Sequence, residues 1–209
     1  MEIRWYGQSA FLIGDRVFVD PFGPMQREGM QFDYPPIEGV AAELLLVTHE
    51  HRDHNFVEAI GGEPRLIRSL AGTWDDGRIV GIASEHDDVA GTKRGSNVIF
   101  RFELDGTTFC HFGDYGQAAL RAEQRAAIGS VDVLLLPVGD FATVGGERAA
   151  AVVRELAPRL VVPMHYRTER LNFLEPPDAF LDALDWPVTR ADSTSIDSDA
   201  EGVWIPATP

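Results

Sequence analysis

Three of the chain's six histidines fall within six positions, in the run Thr48-His49-Glu50-His51-Arg52-Asp53-His54. Closely spaced imidazoles with a carboxylate between them offer the nitrogen and oxygen donors that bind zinc, manganese or iron. With this composition, an HxHxDH pattern would arise by chance in roughly four of ten thousand such chains, so coincidence is a weak competitor. The rival reading is a solvated strand-to-helix turn whose histidines hydrogen-bond locally, and four donors packed this closely argue against it. The helical zincin pattern HExxH is absent, since no two of these histidines stand four residues apart. Thiolate ligation is excluded, because the only cysteine, Cys110, lies elsewhere.

The elements around the run give it a rigid base. A continuous apolar segment over 44–49 predicts a strand buried on both faces, and side chains at such a strand end project into a crevice. Upstream, alternation predicts strands over 2–6, 9–13 and 16–20 with a Gly14-Asp15 hairpin turn, which delivers Asp20 to a strand end. Residues 22–41, rich in Gly, Pro and acids without periodicity, form a loop long enough to be functional. Weaker strands follow over 65–70 and 78–83; 98–104 then places Phe100, Phe102 and Leu104 on one face, and Asp105-Gly106 turns the chain into 107–112. Beyond Asp114 the pattern predicts helix 117–128, strand 131–139, helix 146–157, strand 159–166, a short helix opened by Pro176-Pro177-Asp178 and running to about 184, and strand 202–206. Hairpins followed by βαβ units imply mixed sheets with helices outside, and no repeat or composition break divides residues 1–209 into more than one domain.

Composition narrows the partners. Thirty-three acidic against 18 basic residues give a net charge of −15, a field that repels phosphate backbones and anionic headgroups. Non-specific binding to nucleic acid or membrane is disfavoured, and no run approaches the ~20 apolar residues of a membrane span. The lone cysteine and an N-terminus without the apolar core of a signal peptide predict a cytoplasmic protein. Oligomeric state has no sequence signal.

The ordered segments WYGQSAFLI (5–13), VFVDPF (17–22), THEHRDH (48–54), ASEHD (83–87), RGSNVIF (94–100), CHFGD (110–114), LLLPVG (134–139) and VVPMHY (161–166) resemble the metallo-β-lactamase superfamily. Within it they look most like the compact branch that includes ascorbate-phosphate-lactonase-like and related uncharacterised hydrolases. The resemblance implies an α/β, four-layer αβ/βα sandwich of two mixed sheets flanked by helices. It also implies a dinuclear site in which His49, His51 and His86 hold one divalent ion, Asp53, His54 and His165 a second, and Asp114 bridges them. Zinc is the first expectation, with manganese or iron as alternatives. Metals so paired share a bridging water that acts as hydroxide near neutral pH, with Asp53 orienting it. Asp20 resembles an early aspartate that braces the metal-binding loop. Gln8 stands where relatives often carry a histidine, and Gln cannot share a histidine's metal or proton role.

The resulting expectation is a metal-dependent hydrolase cleaving an ester, lactone or phosphodiester bond of a small substrate, with His111 or Tyr166 as candidate proton donors to the leaving group. His111 doubles as a candidate support for a ligand. The alternatives are a nuclease, against which the net charge and the lack of a basic arm argue, and a non-enzymatic metal-binding sensor, against which the complete ligand set argues. No Gly-x-Ser-x-Gly nucleophile elbow is present. Arg52, Lys93, Arg94, Arg167 and Arg170 lie beside the ligand segments and suggest an anionic substrate, unless nearby acids such as Asp87, Asp88 and Glu169 pair with them. Loop 22–41 and segment 167–176 are expected to shape the pocket.

Overall fold

The computed structural model describes residues 1–25 and 28–209; positions 26–27 of the expected 22–41 loop lie outside the described residues. The opening alternation forms β1 (Glu2–Gly7), β2 (Ala10–Ile13) and β3 (Val17–Val19). Gly14 and Asp15 both take positive φ, and the Arg16 N–H closes the turn on the Ile13 carbonyl at 3.1 Å, as a two-residue hairpin requires. Next come β4 (Val40–Ala41), β5 (Leu44–Val47), β6 (Ile60–Gly61), β7 (Arg65–Arg68), β8 (Gly72–Trp74), β9 (Ile79–Glu85), β10 (Ser96–Leu104) and β11 (Thr107–His111). The second half alternates α1 (Ala122–Ile128), β12 (Val133–Pro137), α2 (Gly146–Leu156), β13 (Leu160–Met164) and α3 (Asp178–Leu184), then closes with β14 (Val188–Arg190), β15 (Ser195–Asp197) and β16 (Gly202–Ile205).

Strands β4 and β6 pair as a small separate sheet, and the other fourteen strands build two mixed sheets flanked by the helices, as expected. One has the order β15-β1-β2-β3-β5-β7 and the other β14-β16-β13-β12-β11-β10-β9-β8. Their inner faces share a core in which Trp5, Phe11, Phe100, Phe102 and Phe109 are all at most 1% exposed. Burial on that scale contributes about 1.5–3 kcal/mol per large side chain. Helices α1 and α2 pack on the second sheet, α1 against β9 and α2 against β12, and α3 packs on α2. On the outer face of the first sheet, Leu12, Phe18 and Leu45 are covered by Phe22, Tyr34 and Ile37 from loops and by Ile60 of β6.

Helix α1 begins five residues later than its composition predicts. Gln117 is held by side-chain bonds, donating to Gln124 Oε1 and accepting the Glu85 N–H, so the chain before Arg121 follows β9 instead of coiling. Gln124 Oε1 also accepts the Arg121 N–H at 2.9 Å and caps the first turn. Strands β8, β14 and β15 escaped the pattern because each is only three residues long.

Strand direction positions the site. β9 and β11 both run antiparallel to β10, while β12 and β13 run parallel to β11. The carboxyl ends of β9, β11 and β13 therefore meet at one edge, where His86, Asp114 and His165 follow them. Across the cleft, β3 and the parallel β5 deliver Asp20 and the histidine run. Gly139 lets the chain close behind this edge: a Cβ there would lie 2.2 Å from the His165 carbonyl oxygen and 2.8 Å from Tyr166 Cα. Backbone cannot yield as a flexible side chain can, so Gly139→Ala is expected to destabilise the fold by about 2 kcal/mol or more, measured by urea unfolding.

Candidate metal centre

Asp114 is the centre of the site. It is 2% exposed, and its Oδ2 lies 3.0 Å from His86 Nε2, 3.3 Å from both His54 Nε2 and His165 Nε2, and 3.7 Å from His49 Nε2. Two clusters flank it, His49 with His51 and His86, and Asp53 with His54 and His165, the donor atoms of each lying within 4.8 Å of one another. Burial opposes ionisation of Asp114, yet the imidazoles of His165, His54 and His86 hold its carboxyl well below the usual range. Burial likewise opposes a charge on His54, but Asp114 and Asp53 overcome it and raise the ring well above the usual histidine range. His49 has less compensation; burial and the neighbouring His54 push it well down.

A second layer aims these rings. Asp20, fully buried, accepts the Thr48 N–H on Oδ1 and the Thr48 hydroxyl on Oδ2, each at 2.7 Å. Its Oδ2 also lies 3.0 Å from His54 Nδ1, and the Thr48 hydroxyl oxygen lies 3.0 Å from His49 Nδ1. Each Nδ1 is thus engaged, leaving Nε2 as the free donor atom on both rings. Gln8, in the left-handed region with φ of 52°, donates from Nε2 to Asp53 Oδ2 at 2.8 Å. The glutamine at this position therefore orients a carboxylate, a use that comparison with histidine did not suggest.

The donor set fits metal ions. His49 Nε2, His54 Nε2 and Asp114 Oδ1 are buried with no hydrogen-bond partner, and leaving such atoms unsatisfied costs about 1–3 kcal/mol each. Cations between the two clusters would satisfy all three.

The profile of the Beta-lactamase superfamily domain matches residues 2–165 of this chain. A UPF0173 metal-dependent hydrolase from Thermococcus kodakarensis is 32% identical over 198 residues, covering 80% of this chain and 85% of that protein. The chain belongs to the metallo-β-lactamase superfamily. A UPF0173 metal-dependent hydrolase of Thermus thermophilus is 31% identical over 201 residues, covering 80% of this chain and 84% of its own. A Thermotoga maritima crystal structure, described as a candidate zinc-dependent hydrolase of the same superfamily, has a TM-score of 0.75 and 28% identity, covering 98% of this chain and 97% of that one.

In this metallo-β-lactamase fold, the two sequence-predicted proton donors stand away from the cavity. His111 is buried with both ring nitrogens engaged by backbone: Nε2 lies 2.9 Å from the Ser9 carbonyl, and Nδ1 accepts the Gly113 N–H at 3.1 Å. Tyr166 turns the other way from His165 and stacks on Trp5 at 5.7 Å, and burial pushes its phenol up. Among the expected cations, Arg167 donates to the Leu174 carbonyl and lies 3.7 Å from Glu175, and neither it nor Arg170 lines the cavity.

The cavity itself has a volume of about 430 Å³, within the usual range for small ligands. His51, Asp53, His86, Asp114 and His165 form its metal side, and Arg52 and Arg94 supply its cations. Met25, Met30, Phe32 and Phe173 reach it from the two segments expected to shape it, while Phe141 was not foreseen. Nothing in the local sequence around Phe141 distinguishes it from a core residue.

The Asp20 network makes a direct prediction. Asp20→Ala strands the Thr48 N–H and the His54 Nδ1, so unfolding free energy should fall by about 2–4 kcal/mol in denaturant titration. Asp20→Asn, which keeps an acceptor for the Thr48 amide, should lose less.

Proposed function

We propose that this chain is a metal-dependent hydrolase that holds two divalent ions and cleaves an ester, lactone or phosphodiester bond of a small anionic substrate. The observation that carries the reading is the buried Asp114 carboxylate, set between two donor clusters that leave ligand atoms unsatisfied. His49, His51 and His86 would hold one ion, Asp53, His54 and His165 the other, and Asp114 would serve both. Bound there, a metal pair supplies Lewis acidity and acidifies water toward neutral pH. Zinc is the first candidate, because imidazole and carboxylate donors suit it, with manganese and iron as alternatives. The ascorbate-phosphate-lactonase-like branch is one version of this proposal, lactones being among the substrates it names.

The chain's own residues do the rest. Asp20, through Thr48 and directly, fixes the rings of His49 and His54, while Gln8 fixes Asp53. Preset ligands need no reorganisation when substrate arrives. Arg52 and Arg94, on the cavity wall without a carboxylate partner among the described residues, are placed to receive an anionic group. A cytoplasmic location is in keeping with one buried free cysteine. No helix among the described residues is long and apolar enough to cross a membrane.

Elemental analysis of protein purified without chelator, then reconstituted, should approach two transition-metal ions per chain. Binding of one ion at most would reject the dinuclear assignment. Asp114→Ala should weaken both ions and reduce hydrolysis by more than the ~10–100-fold typical of a residue behind a ligand. By contrast, His111→Ala, which loses backbone hydrogen bonds and packing against Phe11 but no atom of the two donor clusters, should keep two ions at saturating metal. A metal-supplemented screen over lactones, carboxylic esters and phosphodiesters reads the activity; no turnover of any class would overturn the hydrolase reading.

A further inference from the structure

Phe141 is 62% exposed, the most exposed large apolar side chain among the described residues. Its backbone, with φ of 55°, follows Asp140 at φ of 52°, so two consecutive non-glycine residues occupy the left-handed region. Such strain costs of order 1–3 kcal/mol per residue and persists where surrounding structure enforces it. Here the enforcement is visible: the Thr143 N–H bonds the Asp140 carbonyl at 3.1 Å, and the Val144 N–H bonds the Tyr115 carbonyl at 2.9 Å. Neither strain nor exposure benefits the fold. Together they place a phenyl ring on the wall of the cavity that His51, Asp53, His86, Asp114 and His165 also line.

Arg94 is coupled to that ring. Its guanidinium carbon stands 5.2 Å from the ring centroid, and Nη2 donates to the Phe141 carbonyl at 3.0 Å. This is its only side-chain bond among the described residues, so four of its five N–H donors have no protein partner there. The backbone around Arg94 is itself fixed, since Asp87 Oδ2 accepts the N–H groups of Lys93 and Arg94 at 2.9 and 2.8 Å. Across the cavity, Phe173 meets Phe141 edge to face at 6.4 Å, and Met30 and Phe32 extend the apolar wall. A cation with unused donors thus sits beside an exposed aromatic wall, in a chain whose net charge is −15.

We propose that Phe141 and Arg94 form the specificity subsite of this cavity, selecting a small substrate that carries an aromatic or bulky apolar group together with an oxyanion, carboxylate or phosphate. The inference rests on the hydrolase reading for its setting and adds the substrate class. The apolar group packs against the wall that Phe141, Phe173, Met30 and Phe32 make together, where aromatic contacts and removal from water favour it. The oxyanion takes the planar guanidinium fork. A purely polar metabolite would leave the wall exposed, and an uncharged aromatic ester would leave Arg94 without an anion.

Equilibrium binding to the zinc-reconstituted full chain tests the subsite without requiring turnover. The probes are 3-phenylpropionate and benzylphosphonate, compared with acetate, methylphosphonate and 3-phenylpropan-1-ol. At least one aromatic anion should bind about tenfold or more tighter than its methyl counterpart and than the alcohol. Whichever binds identifies carboxylate or phosphate chemistry as the preferred source of the charge. Phe141→Ala should reduce the ratio of aromatic to methyl affinity about tenfold, and Arg94→Ala should bring the aromatic anion down to the alcohol. Unchanged binding in both variants, or binding of both aromatic anions no tighter than their methyl counterparts, would overturn the proposal. If the subsite behaves as stated but no ester, lactone or phosphodiester is cleaved, the hydrolase reading fails and the subsite stands; if hydrolysis occurs without these preferences, the subsite fails and the hydrolase reading stands.

Discussion

Bringing one carboxylate oxygen within 3.0–3.7 Å of four imidazole nitrogens demands that chain segments distant in sequence converge on a single point away from water. A buried carboxylate is tolerated only where positive charge and hydrogen bonds compensate its desolvation. Asp114 takes that compensation from rings carried by both sheets, so the two sheets cannot separate or slip in register without leaving a charge unpaired. The shared core of Trp5, Phe11, Phe100 and Phe102 holds them in that relation. Topology does the aiming, since the strands that deliver His86, Asp114 and His165 end at one edge.

The rings are then held from behind. Asp20 contributes one carboxylate to three acceptor contacts, and Thr48 passes its influence on to His49. Gln8, Asp20 and His165 all lie at positive φ, and all three border the site. Left-handed backbone at these three positions is what is expected where side-chain direction is worth more than backbone comfort. The same reasoning applies to Phe141 on the cavity wall.

Much of this was legible in the sequence because the chemistry is local. His49, His51, Asp53 and His54 announce themselves through spacing, and the apolar run before them marks the strand end that carries them. His86, Asp114 and His165 are single residues in ordinary segments, and only their order in a familiar pattern singled them out. The mixed sheets followed from hairpin turns and βα alternation, whereas the short strands β8, β14 and β15 had too few residues to establish a period. Contacts that depend on backbone direction stayed hidden. Gln8 reaches Asp53 because β1 turns sharply into β2, and Tyr166 leaves the cavity because His165 adopts a left-handed conformation that sends its neighbour toward Trp5. Arg167 illustrates the same limit, since its partner Glu175 returns to it through a loop whose path the sequence does not encode in any period.

The central claim is that one carboxylate organises two cation sites, and anomalous X-ray diffraction from metal-reconstituted crystals, collected at the metal's absorption edge, tests it most directly. Two anomalous peaks should flank the Asp114 carboxylate, one facing His49, His51 and His86 and the other facing Asp53, His54 and His165. A single peak, or a second one outside these donors, would contradict it.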